Sequence, residues 1–204
     1  GLGSCEQCGV GEYQNDAGMT SCRVCPRYAY CLKGQAEPIT CPPGTTQPNL
    51  GVGSRSGCQT CPSGSWCTAG RSIACLPNTF NPLLNRSDQS ACVECNELST
   101  TLGASSVTTA SGCYCVPQHF DDRAPAAIAS STDFDGPKCE PCPLGADCVA
   151  DGITIFSLPL RPGFFRPSRL STDVRRCPDA GSGQNSACGG SNASADAAAY
   201  SICA

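Results

Sequence analysis

The sequence predicts a small, disulfide-rich fold: tandem short β-hairpin modules in an elongated array, with little helix. Three observations predict it. Twenty of the 204 residues are cysteine, a density that marks a disulfide scaffold. Leu, Ile, Val and Phe total only 32, too few to offset the ordering entropy of the chain by burial alone. A cysteine clasp then recurs three times, as CPRYAYC (Cys25 to Cys31), CPSGSWC (Cys61 to Cys67) and CPLGADC (Cys142 to Cys148). A net charge of only −4 argues against charge-driven disorder, so covalent stapling takes the place of a large core.

Cysteine usage on this scale belongs to oxidising, extracellular or cell-surface compartments. The triplets NRS at Asn85 and NAS at Asn192 agree as acceptors of N-linked glycans. No signal peptide opens the chain and no apolar run reaches membrane-spanning length, ITIFSLPL (Ile153 to Leu160) being the longest candidate. The chain therefore reads as a processed product or a segment of a longer protein. Lys and Arg number 13 against 17 Asp and Glu, a balance that gives nucleic acid no basic footprint.

The modules run in order along the chain. Residues 1–40 carry CGVGEYQNDAGMTSC (Cys8 to Cys22), residues 41–74 carry CPPGTTQPNLGVGSRSGC (Cys41 to Cys58), and residues 75–114 carry CLPNTFNPLLNRSDQSAC (Cys75 to Cys92). Residues 115–150 carry CVPQHFDDRAPAAIASSTDFDGPKC (Cys115 to Cys139), and residues 151–204 form a distinct C-terminal unit. Three positions after each opening cysteine stand Gly11, Gly44, Asn78 and Gln118. Gly and Asn tolerate positive φ and suit a tight turn, and Gln118 departs from that rule. Two positions later stand Tyr13, Thr46, Phe80 and Phe120, residues that suit a short strand packed on a nearby disulfide. Each loop closes with Cys-x-x-Cys, and the closing cysteines Cys22, Cys58, Cys92 and Cys139 recur at the interval of a linear array of small units. Further strands are expected over Ser106 to Ala110 and Ile153 to Phe156, and a turn or two of helix behind Ser194. Arg123 to Asp133 reads as a loose insert.

With CPPGTT, CPSGSWC and CVECNELSTTLGASSVTTASGCYCVPQHF in view, the chain resembles the cysteine-rich, epidermal-growth-factor-like repeats of ephrin-receptor ectodomains. In style these are similar to tumour-necrosis-factor-receptor modules. The resemblance covers roughly residues 5–148. LRPGFFRPSRLSTDVRRCPDAGSGQNSACGG resembles a segment that follows such repeats in large surface proteins of algae and other protists. Modules of this type are reused for many purposes, so the resemblance implies module architecture far more than function.

Sequence alone leaves the connectivity of twenty cysteines open, but the repeat restricts it. The expected long loops are Cys8–Cys22, Cys41–Cys58, Cys75–Cys92, Cys95–Cys113 and Cys115–Cys139, and the clasps are Cys25–Cys31, Cys61–Cys67 and Cys142–Cys148. Cys177–Cys188 completes the set. Cys5 and Cys203 either pair with each other or have partners outside this segment, and the second is favoured because Cys5 stands where a preceding loop would end. Closing a seven-residue ring stabilises by about 2.4 kcal/mol, and an eighteen-residue ring by about 3.2 kcal/mol, in the chain-entropy treatment.

Competing chemistry fits these residues less well. Cys-x-x-Cys also serves zinc and redox sites, but here each pair belongs to a loop of recurring length, and no strand–helix context accompanies it. His119, the only histidine, sits beside Phe120, Asp121 and Asp122 and reads as a surface turn residue. DFDG (Asp133 to Gly136) resembles the start of a calcium loop that Pro137 and Cys139 interrupt. No catalytic residue, metal site or cofactor is expected. Candidate protein contacts are Trp66, which reads first as packing between modules, and Phe164, Phe165 and Arg166 in RPGFFRPSRL, since aromatics and Arg dominate interface hot spots.

The expected function is that of a non-enzymatic, extracellular structural or adhesive segment of a larger surface or filament protein. It would be a stapled rod assembling with other extracellular proteins or further copies of itself, as in receptor stalks, matrix components or mastigonemes. A ligand-binding receptor ectodomain is the alternative.

Overall fold

In the computed structural model, residues 6–129 and 132–178 are described. Among them are eight two-stranded sheets, with strands of two to four residues, and one α-helix, Pro125–Ala129. The fold is a small, disulfide-rich series of hairpin modules. The chain divides into two units. One comprises Gly1–Val93 with Ala104–Thr108, the other Glu94–Gly103 with Thr109–Ala204.

Each module starts from the same turn. Three residues after the opening cysteine the backbone has positive φ: Gly11 (84°), Gly44 (79°), Asn78 (67°) and Gln118 (68°). Gln118 thus departs from the rule in residue type but not in conformation. The turn closes by an N–H donated three residues back, as from Glu12 to Gly9, Thr45 to Pro42, Thr79 to Leu76 and His119 to Val116. With positive φ confined to the third position these are type II turns, and Pro43, Pro77 and Pro117 occupy the second, where proline's fixed φ fits. The clasps and the 95–114 segment use the same device, at Tyr28 (73°), Gly64 (72°), Leu98 (59°) and Gly145 (93°).

The carbonyl of the turn residue then accepts from the cysteine opening the next turn. Cys25 donates to Gly11 (2.8 Å), Cys41 to Tyr28 (3.0 Å), Cys61 to Gly44 (2.9 Å), Cys75 to Gly64 (2.9 Å) and Cys142 to Gln118 (2.8 Å). These bonds close the small hairpins. In the first unit Glu12–Tyr13 pairs with Arg23–Val24, Ala29–Tyr30 with Ile39–Thr40, Thr45–Thr46 with Gln59–Thr60, and Ser65–Thr68 with Arg71–Ala74. In the second, Ser99–Thr100 pairs with Tyr114–Cys115, His119–Asp121 with Cys139–Pro141, and Phe164–Phe165 with Arg175–Arg176. All are antiparallel.

Sulfur fills the interior of the first unit. Cys25, Cys31, Cys61 and Cys67 are fully buried and Cys41 and Cys75 nearly so. The structure joins Cys8 to Cys22, Cys25 to Cys31, Cys41 to Cys58, Cys61 to Cys67 and Cys75 to Cys92. In the second unit it joins Cys95 to Cys113, Cys115 to Cys139 and Cys142 to Cys148. Cys177 is disulfide-bonded. Cys188, Cys5, Cys203, Asn192 and the segment behind Ser194 lie outside the described residues. The second unit also holds a conventional apolar cluster of Phe120, Ala146, Cys148, Ile153, Ile155 and Leu158.

Polar side chains at one fixed position tie each loop together. Six residues after the opening cysteine stand Gln14, Gln47, Asn81, Thr101 and Asp121, and all but Gln14 are buried. The side-chain oxygens of Gln14, Gln47, Asn81 and Asp121 accept the backbone N–H two residues on, at 2.8–3.1 Å. Asn81 Nδ2 also donates to the Ser65 carbonyl at 2.8 Å. The buried amides of Gln47 and Asn81 and the carboxylate of Asp121 are tolerated because each of their loops supplies the same backbone partner.

Two expectations about local structure are corrected. Ser106 to Ala110 is not a strand: Ser106 has φ 59° and Val107 alone bridges to Phe80. Ile153 to Phe156 likewise contributes one bridge, Thr154 to Asp121, because Ile153 and Ile155 turn into the apolar cluster. Among the described residues of the expected insert Arg123 to Asp133 is the helix Pro125–Ala129. Arg123 anchors its start, donating to the Asp135 carbonyl (2.9 Å) and pairing with Asp121 (2.8 Å).

Candidate interaction surface

Each clasp sorts its residues by position. The third takes the positive φ of the turn. The fourth is small and buried, as Ala29 (3% exposed), Ser65 (7%) and Ala146 (4%), because the space beside the disulfide is close-packed. The second and fifth project away. They are Arg27 and Tyr30 in the first clasp, Ser63 and Trp66 in the second, and Leu144 and Asp147 in the third, each half-buried or exposed. The frame is therefore fixed at five of its seven positions, the two cysteines, the proline, the turn residue and the small residue, while two side chains are free to differ.

In the first unit this rule places aromatics on short strands. Along Ser65–Thr68 burial alternates, Ser65 and Cys67 inward, Trp66 and Thr68 outward. Trp66 lies in register with Ile73, itself 36% exposed, and Tyr30 lies in register with Ile39. The Ser65–Thr68 hairpin turns through Ala69 (φ 47°) and Gly70 (φ 77°). A Cβ on Gly70 would fall within 2.7 Å of the Tyr28 backbone. The Arg71 guanidinium lies 4.9 Å above the Tyr28 ring, a cation–π contact.

In the second unit the third clasp opens onto a cleft of about 460 Å³ lined by Gln118, His119, Pro141, Leu144, Val149 and Arg161, among others. Leu144 and Val149 are 85% and 73% exposed. Arg161 reaches Asp147 at 3.8 Å. His119 belongs to the strand His119–Asp121, with Nδ1 3.2 Å from the Pro117 carbonyl oxygen. An open mouth with apolar edges and an ion pair suits a protein side chain better than a small polar metabolite.

The remaining nominated residues divide. Phe164 and Phe165 form a strand and are half-buried, and the Phe164 ring lies so close to Gly145 that a Cβ there would overlap it. Arg166 is only 6% exposed. Its Nη1 donates to the carbonyls of Ile155 (2.6 Å) and Arg169 (3.1 Å), so the side chain braces the turn from inside. Asp135 accepts from the backbone N–H and hydroxyl of Thr132 at 2.6 and 2.9 Å. Those bonds, with the backbone one the larger cause, hold its carboxyl below the usual value. Sequence reasoning does not single out Tyr30, Leu144 or Val149. Aligning the clasps position by position finds the first two, because the fifth position holds Tyr in one clasp and Trp in the next, and the second position is its outward companion.

Residues 1–37 match the family model described as tyrosine-protein kinase ephrin type A/B receptor-like. The matched stretch contains the Cys8–Cys22 loop and the Cys25–Cys31 clasp, and the same turn and disulfide geometry recurs beyond it. No curated protein matches the chain. Among the described residues no helix is long and apolar enough to cross a membrane. An extracellular module that contacts other proteins fits the cysteine-rich repeat and its disulfides.

Proposed function

We propose that this chain is a non-enzymatic structural segment of a larger surface or filament protein, whose stapled modules space and assemble protein partners or further copies of itself. The carrying observation is the division of labour within the clasps. Cysteines, a positive-φ turn and a small buried residue hold the frame, while Arg27, Tyr30, Ser63, Trp66 and Leu144 vary on the outside. Such a frame supports display, because the outward residues can change without loss of the fold. Aromatics held on short, disulfide-anchored strands lose little entropy on contact, which favours them as anchors. The test is assembly state. Sedimentation velocity and negative-stain microscopy of the secreted, oxidised protein should show repeating contacts between copies, weakened by Trp66→Ala and Tyr30→Ala at unchanged disulfide content. A strictly monomeric protein with one saturable partner would exclude this reading.

A second reading, a ligand-binding ectodomain, is favoured by the cleft beside Leu144 and Val149. Leu144→Asp would then abolish capture of that single partner by the monomer at unchanged disulfide content.

A further inference from the structure

We propose that Asn85 carries an N-linked glycan on Nδ2, which closes the tip of its loop to protein contact. Asn85, Arg86 and Ser87 form an acceptor triplet, and all three are exposed. The backbone at Asn85 is left-handed, with φ 59°, and its N–H donates to the Cys61 carbonyl at 2.9 Å. A Cβ built on Gly44 would stand 2.7 Å from both the backbone oxygen and Oδ1 of Asn85. The carbonyl edge of the amide is therefore turned onto Gly44, and Nδ2, the atom that takes the sugar, is on the opposite edge.

Equivalent tips sharpen the case. Gly51 (69°), Ser106 (59°) and Gly152 (70°) share this left-handed conformation, so the backbone alone explains a Gly or Asn here. It does not explain the exposure of the next two residues. The residue after the tip is Val52, Val107 or Ile153 in the other loops, none of them exposed. Here it is the exposed Arg86, and after it comes the Ser87 hydroxyl the reaction requires. Leu84 beside it is 60% exposed and lies within reach of an attached sugar.

The donor is an oligosaccharide joined through its anomeric carbon to a lipid pyrophosphate. Nδ2 attacks that carbon, the carbon–oxygen bond breaks with its electron pair leaving on the pyrophosphate, and the amide nitrogen gives up one proton. Transfer needs an extended triplet and so precedes closure of this turn. The folded tip keeps the product because it faces water.

The inference rests on the extracellular reading, and the experiment separates the two. The protein is secreted from eukaryotic cells and its peptides are mapped by mass spectrometry before and after peptide-N-glycosidase treatment, alongside Asn85→Gly and Ser87→Ala. The expected result is a sugar-bearing Asn85 peptide that the glycosidase converts to aspartate, lost in both variants. Asn85→Gly keeps the left-handed tip that Gly51 uses, and Ser87→Ala leaves the asparagine in place should that variant fail to fold. Oxidised, secreted protein with unmodified Asn85 overturns the glycan alone. Intracellular protein with reduced thiols overturns the extracellular reading.

Discussion

Leu160 and Val174 pack against the same apolar cluster, at the two positions where other loops hold a disulfide. Leu160 lies three residues before Gly163 (φ 85°), as Cys8 lies before Gly11. Val174 lies three before Cys177, as Cys58 lies before Cys61. The Cys177 N–H donates to the Gly163 carbonyl at 2.9 Å, matching Cys61 to Gly44. Arg166 takes the sixth position, where Gln47 and Asn81 stand. The segment from Leu160 is thus a further loop of the same design, with hydrophobic contact in place of sulfur. The double variant Leu160→Cys, Val174→Cys should form a new bond, since the long-loop cystines have Cα separations of 5.5–5.9 Å. Intact mass should show the loss of two hydrogens, and non-reducing peptide mapping should join 160 to 174. Two free thiols, or scrambling with neighbouring cysteines, would refute the equivalence.

Gln118 holds a left-handed backbone that costs an L-residue roughly 1–2 kcal/mol relative to the right-handed region. It stays there because its N–H donates to the Cys148 carbonyl and its own carbonyl accepts from Cys142. Gln118→Gly should stabilise the protein by about 0.5–1 kcal/mol after the added freedom of the unfolded chain is subtracted. Gly11→Ala should do the reverse, by more than ~2 kcal/mol, because its Cβ would lie 2.3 Å from the Gly51 carbonyl oxygen. Thermal unfolding under oxidising conditions measures both.

The hairpin-module class was legible because cysteine spacing and turn residues carry it directly. Gly11, Gly44 and Asn78 announce their own conformation, whereas Tyr28, Leu98 and Gln118 adopt it only because neighbouring disulfides and backbone bonds leave no other. The strands expected at Ser106 and Ile153 failed for a related reason: a left-handed residue, Ser106 in the first and Gly152 just ahead of the second, bends the chain at the start of each β-branched run, so each contributes one bridge rather than a ladder. Gln47 and Asn81 look like surface residues in a list of polarities. Their burial depends on a partner N–H two residues on, which only the folded loop presents. Of the candidate contacts, Trp66, read first as packing between modules, stands half-buried on the outward side of the strand Ser65–Thr68, while the role of Arg166 depends on carbonyls of Ile155 and Arg169 that no local pattern reveals.

Asp121 occupies the sixth position as a charge. Its side chain is 8% exposed and that of Arg123 16%. Its Oδ1 accepts the backbone N–H groups of Arg123 and Lys138, both at 3.1 Å. Asp121→Ala leaves those donors unmatched and strips the Arg123 guanidinium of its carboxylate, and should cost roughly 3–4 kcal/mol. Asp121→Asn retains an acceptor oxygen and should cost about half as much, most of it from the lost charge pair. Denaturant unfolding with disulfides intact separates the two. Equal losses would show that the retained acceptor contributes nothing beyond the charge pair, and no loss in Asp121→Asn would show that the charge pair contributes nothing beyond the hydrogen bonds.

Acid should loosen particular turns before it reaches the disulfide frame. Asp88 accepts from the Ser90 backbone N–H at 2.8 Å at the start of the short helical turn Gln89–Ala91 that delivers Cys92, and its carboxyl is held below the ordinary value of 3.8 by that bond first and by the Ser90 hydroxyl second. Asp135 is lowered likewise by Thr132. A carboxyl whose folded pKa is depressed binds protons more readily in the unfolded chain. Its stabilising effect is therefore complete above the unfolded value near 3.8 and is lost as pH falls through the lower folded value. Both groups face solvent, so the effect is small and local. Amide exchange at Ser90 and Thr132 should accelerate, beyond the intrinsic pH trend, as pH falls from about 4 toward about 2. In Asp88→Asn the acceleration at Ser90 should vanish while that at Thr132 remains. An unchanged response at Ser90 would mean that the carboxylate does not hold the turn that positions Cys92.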